Sequence, residues 1–215
     1  ASALGSGFII DSEGYVVTNN HVIEDAEQVQ VVLEDGTTLP ARIIGTDPRS
    51  DLAVLKVETD KALPAVLFGN SDSVRVGEWV VAIGNPFGLG GTATAGIISA
   101  RGRDIQSGPY DDYLQIDAPI NKGNSGGPVF DTEGRVIGVN TAIFSPNGGS
   151  VGIGFAIPAS QAKTAVQQII EDGYVTRGWL GVQIQPVTED IQASLGLEGT
   201  QGALVSAVNK DSPAA

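Results

Sequence analysis

Ser125, in the stretch "INKGNSGGPVF", is the serine best placed for nucleophilic chemistry. Acyl transfer near neutral pH needs a hydroxyl, a base to take its proton and an acid to orient that base. It also needs N–H donors aimed at the developing oxyanion. Gly123, Gly126 and Gly127 flank the serine, and Pro128 closes the turn before the apolar "VF". Glycine reaches positive φ without steric cost, so the N–H groups of Gly123 and Ser125 can turn toward one oxygen. A serine capping a plain glycine-rich hairpin fits the same letters equally well, and its partners must decide.

The chain has one histidine, His21, in "VVTNNHVIEDA", read as the end of a strand. Any histidine-dependent mechanism runs through it. Asp51 precedes the apolar run "LAVLKV", where a carboxylate at the mouth of a buried strand is placed to be desolvated and paired. Asp11, Asp25, Asp35, Asp47 and Asp60 read as ordinary turn carboxylates. Each of the three candidates has a structural explanation when taken alone. Their order, His21 then Asp51 then Ser125, is one that nucleophilic triads use on β scaffolds.

The elements that must position them are strands. Short β-branched runs such as "YVVTN", "VQVVL", "LAVLKV", "WVVAIG", "TAGIISA" and "GIGFAIP" alternate with glycine- and proline-marked turns. That pattern predicts an all-β sandwich or barrel. One segment departs from it: Ala162, Ala165, Val166, Ile169 and Ile170 share a helical face. Ser160 is the expected N-cap of that helix and Gly173 its terminator. After Tyr174 a strand, a short helix and a second strand follow. They are too few for a core of their own, and read as the first part of another domain.

Composition narrows the chemistry. With no cysteine, disulfides, thiolate metal sites and cysteine nucleophiles are excluded. A net charge of −13, from 25 acidic and 12 basic residues, disfavours nucleic acid and anionic membranes as partners. The apolar runs fall far short of the roughly 20 residues that span a bilayer, so no integral membrane segment is expected. No acidic spacing resembles a calcium loop, so neither metal nor cofactor is expected. The 6% aromatic content offers little stacking surface for a carbohydrate module. Ala1 leads straight into "ALGSGFII" without a signal peptide, so a longer precursor is expected.

"TNNHVI", "SDLAVL", "AIGNPFGLGGTATAGIIS", "GNSGGPVF" and "GIGFAIP", in that order, resemble the HtrA/Deg family of trypsin-like serine proteases. The likeness runs from "GSGFIID" to "RGWLGV". It implies an all-β protease domain, residues 1–174, of two chymotrypsin-like six-stranded β-barrels, about 1–73 and 74–158, with a C-terminal helix at 160–172. An incomplete PDZ domain over 178–215 follows. By the same resemblance Ser125 is the nucleophile, His21 the base and Asp51 its orienting acid, and the N–H groups of Gly123, Asn124 and Ser125 form the oxyanion hole. Ile120, Thr141 and Ile143 line an apolar specificity pocket for a small aliphatic side chain, with Pro119 where trypsin-type enzymes carry a carboxylate. Arg103 is a sensor-loop arginine touching the "GNPFG" loop, and Trp179, Leu180, Gly181 and Val182 are the PDZ carboxylate loop. Asn124 replaces the aspartate that digestive proteases use in zymogen activation.

The family implies an ATP-independent periplasmic endopeptidase for unfolded or misfolded proteins, a homotrimer or larger at full length. A catalytically silent chaperone or peptide-binding module on the same fold is the alternative.

Overall fold

Stiff, branched side chains pack well on a pleated surface, and the β-branched runs accordingly form strands. The computed structural model describes residues 4–215; residues 1–3, where the expected protease domain begins, lie outside them. They fall into two compact units, one ending at Val175 and one spanning Thr176–Ala215.

The first unit opens with β1 (Phe8–Ile9), β2 (Tyr15–Thr18), the one-turn helix α1 (Asn20–Ile23), β3 (Val29–Val32), β4 (Thr38–Asp47) and β5 (Leu52–Val57). The strands make one antiparallel sheet in the order β1-β2-β5-β4-β3. β5 lies at its centre and is covered on both faces. Leu52 and Val54 enter one apolar cluster, while Ala53, Leu55 and Val57 enter another.

This sheet corrects the expectation of a closed six-stranded first barrel: it has five strands and stays open. The residues that would supply a sixth strand divide their hydrogen bonds between two sheets. The Val66 N–H donates to the Ile9 carbonyl of β1 at 2.9 Å. Two residues later Phe68 pairs with Val136 of the next sheet. Pro64, with no N–H, further limits what this segment can donate to a ladder.

The following strands are β6 (Trp79–Gly84), β7 (Thr92–Arg103), β8 (Tyr113–Ile116), β9 (Pro128–Phe130), β10 (Val136–Ile143) and β11 (Gly154–Pro158). They close into a six-stranded barrel in the order β10-β11-β8-β7-β6-β9. Val80, Ala82, Ile98, Leu114, Ile116, Val129 and Ile137 form its core.

Helix α2 (Ala159–Asp172) joins the two bodies. Its Ala162, Ala165, Val166 and Ile169 pack with Phe8, Val17, Leu52 and Val54 of the open sheet and with Val136, Val139 and Ile157 of the barrel. Ser160 is not its N-cap. β11 passes into the helix at Pro158–Ala159 without a loop, leaving no room for a capping residue. The Ser160 N–H instead donates to Ser71 Oγ at 2.9 Å, so a neighbouring segment satisfies one of the helix's first free donors. Gly173 ends the helix as expected, in the left-handed region at φ 85°, its N–H on the Ile169 carbonyl. A Cβ on Gly45 of β4 would overlap the Gly173 carbonyl, so the helix end sits directly on that strand.

The second unit holds β12 (Val182–Pro186), α3 (Glu189–Leu195) and β13 (Ala203–Val208), with β12 and β13 paired antiparallel. Thr188 caps α3 by accepting the Ile191 N–H.

Ile169 is fully buried where the sheet, barrel and helix meet. Ile169→Ala is expected to lower unfolding free energy by about 2–5 kcal/mol, read from urea denaturation; a loss near zero would show that the helix is not part of the shared core.

Candidate active site

Asp51 closes the β4–β5 turn in the left-handed region, at φ 56°. A non-glycine residue there carries about 1–3 kcal/mol of strain, and it persists only where its surroundings over-determine it. Here they do. The Asp51 carbonyl accepts Asn19 Nδ2 at 2.8 Å and the Asn20 N–H at 3.2 Å. Its Oδ1 accepts the His21 N–H at 2.9 Å. Its Oδ2 lies 2.7 Å from His21 Nδ1 and accepts the Thr141 hydroxyl at 2.5 Å.

His21 does not end a strand. β2 stops at Thr18, and after the extended Asn19 the single turn α1 carries the imidazole. The turn aims both the His21 N–H and its Nδ1 at one carboxylate. With Nδ1 as donor to Asp51, the neutral ring keeps its lone pair on Nε2, the tautomer a general base needs. The hydrogen bond to Asp51 raises the imidazole pKa above its ordinary 6.5. Partial burial opposes the rise, and the charges of Asp51 and Glu24 add to it.

The serine turn is held peptide by peptide. The Lys122 carbonyl accepts the Phe87 N–H at 3.0 Å. Because a trans peptide points its C=O and N–H in opposite directions, that bond turns the Gly123 N–H the other way. In the next peptide both ends are occupied: Gly123 O accepts Ser6 Oγ at 2.7 Å, and the Asn124 N–H donates to Asn121 O at 3.0 Å. The Asn124 carbonyl accepts the Gly127 N–H at 3.0 Å. Among the described residues, the N–H groups of Gly123 and Ser125 have no hydrogen-bond acceptor. They are the donors left for an oxyanion. The Asn124 N–H, also expected there, is taken up inside the turn. Gly123 has φ 103°, and a Cβ there would overlap the Asn85 carbonyl, so glycine is required.

Ser125 Oγ donates to the Thr141 carbonyl at 3.4 Å. Among the described residues no hydrogen bond joins it to the imidazole, and such catalytic bonds often tighten only when substrate is bound.

The remaining expected residues are placed as follows. Ile120 is buried in the barrel cluster, with Ile143 packed against it. Thr141, expected on the pocket wall, directs its hydroxyl to Asp51. Arg103 ends β7 and donates through Nε to Gln115 Oε1 at 2.9 Å; the bond is to β8, not to the "GNPFG" loop. Trp179 and Leu180 are exposed, Gly181 is left-handed at φ 77°, and Val182 begins β12. Among the described residues no three His, Asp or Glu side chains cluster as metal ligands would. The sequence reading missed Ser6 and Asn19, two polar side chains that hydrogen-bond to site backbone. A serine between two glycines carries no signal of its own, because its partners lie far away in sequence.

A model of the trypsin-like peptidase domain matches residues 5–139. A probable periplasmic serine endoprotease, DegP-like, of Brucella suis biovar 1 (strain 1330) is 65% identical over 99% of this chain. Its counterpart in Rhizobium meliloti (strain 1021) is 63% identical over 98%. The chain spans 42% of the length of each of these relatives. Among solved structures, the HtrA-type protease AlgW with a tripeptide superposes with a TM-score of 0.91 at 52% identity, covering 97% of this chain and 69% of that one. The serine endoprotease from Yersinia pestis gives 0.75 at 39% identity, covering 99% and 68%.

Because His21 is the only imidazole, its titration by NMR is unambiguous. Its midpoint is expected above 6.5, with Glu24→Gln lowering it and Asp51→Asn lowering it further, since both changes remove charge that favours the imidazolium. A midpoint unmoved by Asp51→Asn would rule out the carboxylate as the cause.

Proposed function

The chain belongs to the HtrA-type serine proteases of the trypsin-like peptidase family, and on that premise we propose that it is the proteolytic portion of a periplasmic endopeptidase. The observation that carries this reading is the set of hydrogen bonds on Asp51, which orients His21 Nε2 as a base, beside a turn with two unpaired N–H donors.

In this mechanism Ser125 Oγ leaves the Thr141 carbonyl, passes its proton to His21 Nε2 and bonds to the scissile carbonyl carbon. Asp51 stabilises the resulting imidazolium and does not itself take the proton. The tetrahedral oxyanion accepts from Gly123 and Ser125 N–H. His21 then protonates the leaving amine as the C–N bond breaks, giving the acyl-enzyme. Water, deprotonated by His21, releases the acid by the reverse sequence.

Ile120 and Ile143 make the pocket apolar, which suits a small aliphatic side chain before the scissile bond. A methylene there is worth roughly 1–3 kcal/mol, so selectivity is loose and unfolded or misfolded chains in general are the substrates. A Cβ on Gly154 would lie 3.0 Å from Ile120 Cγ1, so Gly154→Ala is expected to shift cleavage from Val toward Ala, read from peptide-library products.

Residues 178–215 are assigned as the N-terminal part of a PDZ domain, with Trp179, Leu180, Gly181 and Val182 at its carboxylate loop. Peptide capture there works by strand addition. The full-length protein is assigned as a homotrimer or larger, with Arg103 as a regulatory residue whose resting contact is Gln115. A silent peptide-binding module is a second reading, and the bond from Ser125 to Thr141 instead of to His21 favours it.

Two experiments separate these readings. A fluorophosphonate is expected to label Ser125 stoichiometrically, with a rate that rises with pH through a pKa above 6.5, because the base must be neutral. Ser125→Ala is expected to abolish cleavage of unfolded β-casein without unfolding the protein. A folded chain that resists the label would favour the silent module.

A further inference from the structure

Ser6 lies outside the triad, the oxyanion donors and the specificity pocket, yet its hydroxyl and its N–H both bond to active-site turns. Its hydroxyl donates to Gly123 O at 2.7 Å and accepts the Asn85 N–H at 2.8 Å. Its N–H donates to Ser125 O at 2.8 Å, and its carbonyl accepts the Thr18 hydroxyl at 2.7 Å. The residue is half-buried, and the packing around it is tight. A Cβ on Gly126 would overlap both the Ser6 carbonyl and Thr18 Oγ1, and one on Gly127 would lie 3.2 Å from Ser6 Cβ.

We propose that Ser6 is a positioning residue of the active site: its hydroxyl clamps the 85–88 turn onto the nucleophile turn and so holds the oxyanion donors in place. The clamp acts on both sides of the Gly123 N–H. On one side it grips the peptide that begins at the Gly123 carbonyl. On the other it holds Asn85 and, through the same turn, the Phe87 N–H on the Lys122 carbonyl. That carbonyl belongs to the peptide carrying the Gly123 N–H. Phe87 itself is left-handed at φ 57°, a non-glycine conformation that needs outside support. No other side chain bridges these two turns among the hydrogen bonds of the described residues. Without the hydroxyl, Asn85 N–H and Gly123 O lose their shared partner, and the two peptides are free to rotate.

The inference rests on the protease reading for its kinetic consequence but not for its structural one, and the test uses both. Ser6→Ala is expected to lower kcat about tenfold on a chromogenic peptide with Val before the scissile bond, the scale of one lost hydrogen bond. KM stays within twofold, the fluorophosphonate labelling rate falls in parallel with kcat, and the far-UV spectrum is unchanged. Hydrogen–deuterium exchange of the folded variant is expected to rise in peptides covering 85–88 and 121–127 and not in β5. Ser6→Cys, similar in size but a weaker donor, falls between the two and serves the same reading if Ser6→Ala does not fold. Unchanged exchange in both turns overturns the clamp, as does an unchanged kcat in a chain that the fluorophosphonate labels. If the parent chain resists the label while Ser6→Ala still loosens both turns, the protease reading fails and the clamp stands.

Discussion

One residue, Asp51, receives hydrogen bonds on its carbonyl and carboxylate from two separate parts of the chain. The 19–21 segment supplies four, by way of Asn19, Asn20 and both nitrogens of His21 that face it. Thr141 supplies another from β10, in the barrel. Asp51 itself hangs from the open sheet. The site therefore exists only where the two β bodies meet in one relative position, and a small shift between them would part Thr141 from Asp51. Holding that position is the task of α2, whose apolar face packs against both bodies at once. Core packing is dense and not continuously deformable, so the helix and the cluster under it give the polar contacts their precision.

The serine turn follows the same logic on a smaller scale. Its glycines permit the backbone shape, but they do not select it. Selection comes from acceptors and donors outside the turn: Phe87 on one peptide, Ser6 on the next, Asn140 on the last. Two N–H groups are left over because every neighbour of theirs is occupied. Asn124 shows the consequence. Its N–H is bound within the turn and its buried side-chain oxygen has no partner, so the position neither serves the oxyanion nor carries the charge that an aspartate would bring.

The departures from the sequence reading share one physical origin, which is competition for hydrogen-bond partners. The 66–68 segment, inside the span expected to form a closed first barrel, bonds to two sheets and leaves the first one open. Ser160 has capping chemistry, yet the helix already begins at Ala159, directly after Pro158, and Ser71 accepts the Ser160 N–H from outside. Thr141 has a methyl for a pocket wall and a hydroxyl for a carboxylate, and Asp51 Oδ2, which also faces His21 Nδ1, takes the hydroxyl. Arg103, expected to touch the "GNPFG" loop, finds an acceptor on the neighbouring strand in Gln115.

What the sequence determined by itself is local. The β-branched runs between glycine turns set the strands, the 3.6-residue repeat set α2, and a single histidine with the serine of "GNSGGP" named the candidates. Periodicity and turn chemistry act within a few residues, so they can be read from the letters. What only the tertiary structure decided is who meets whom. The hydroxyls of Ser6 and Thr141 and the amide of Asn19 became parts of the site through partners up to 117 positions away. Closure of one β body and not the other was settled in the same way. Such pairings depend on which donors reach which acceptors once the core has packed, and no local pattern encodes that.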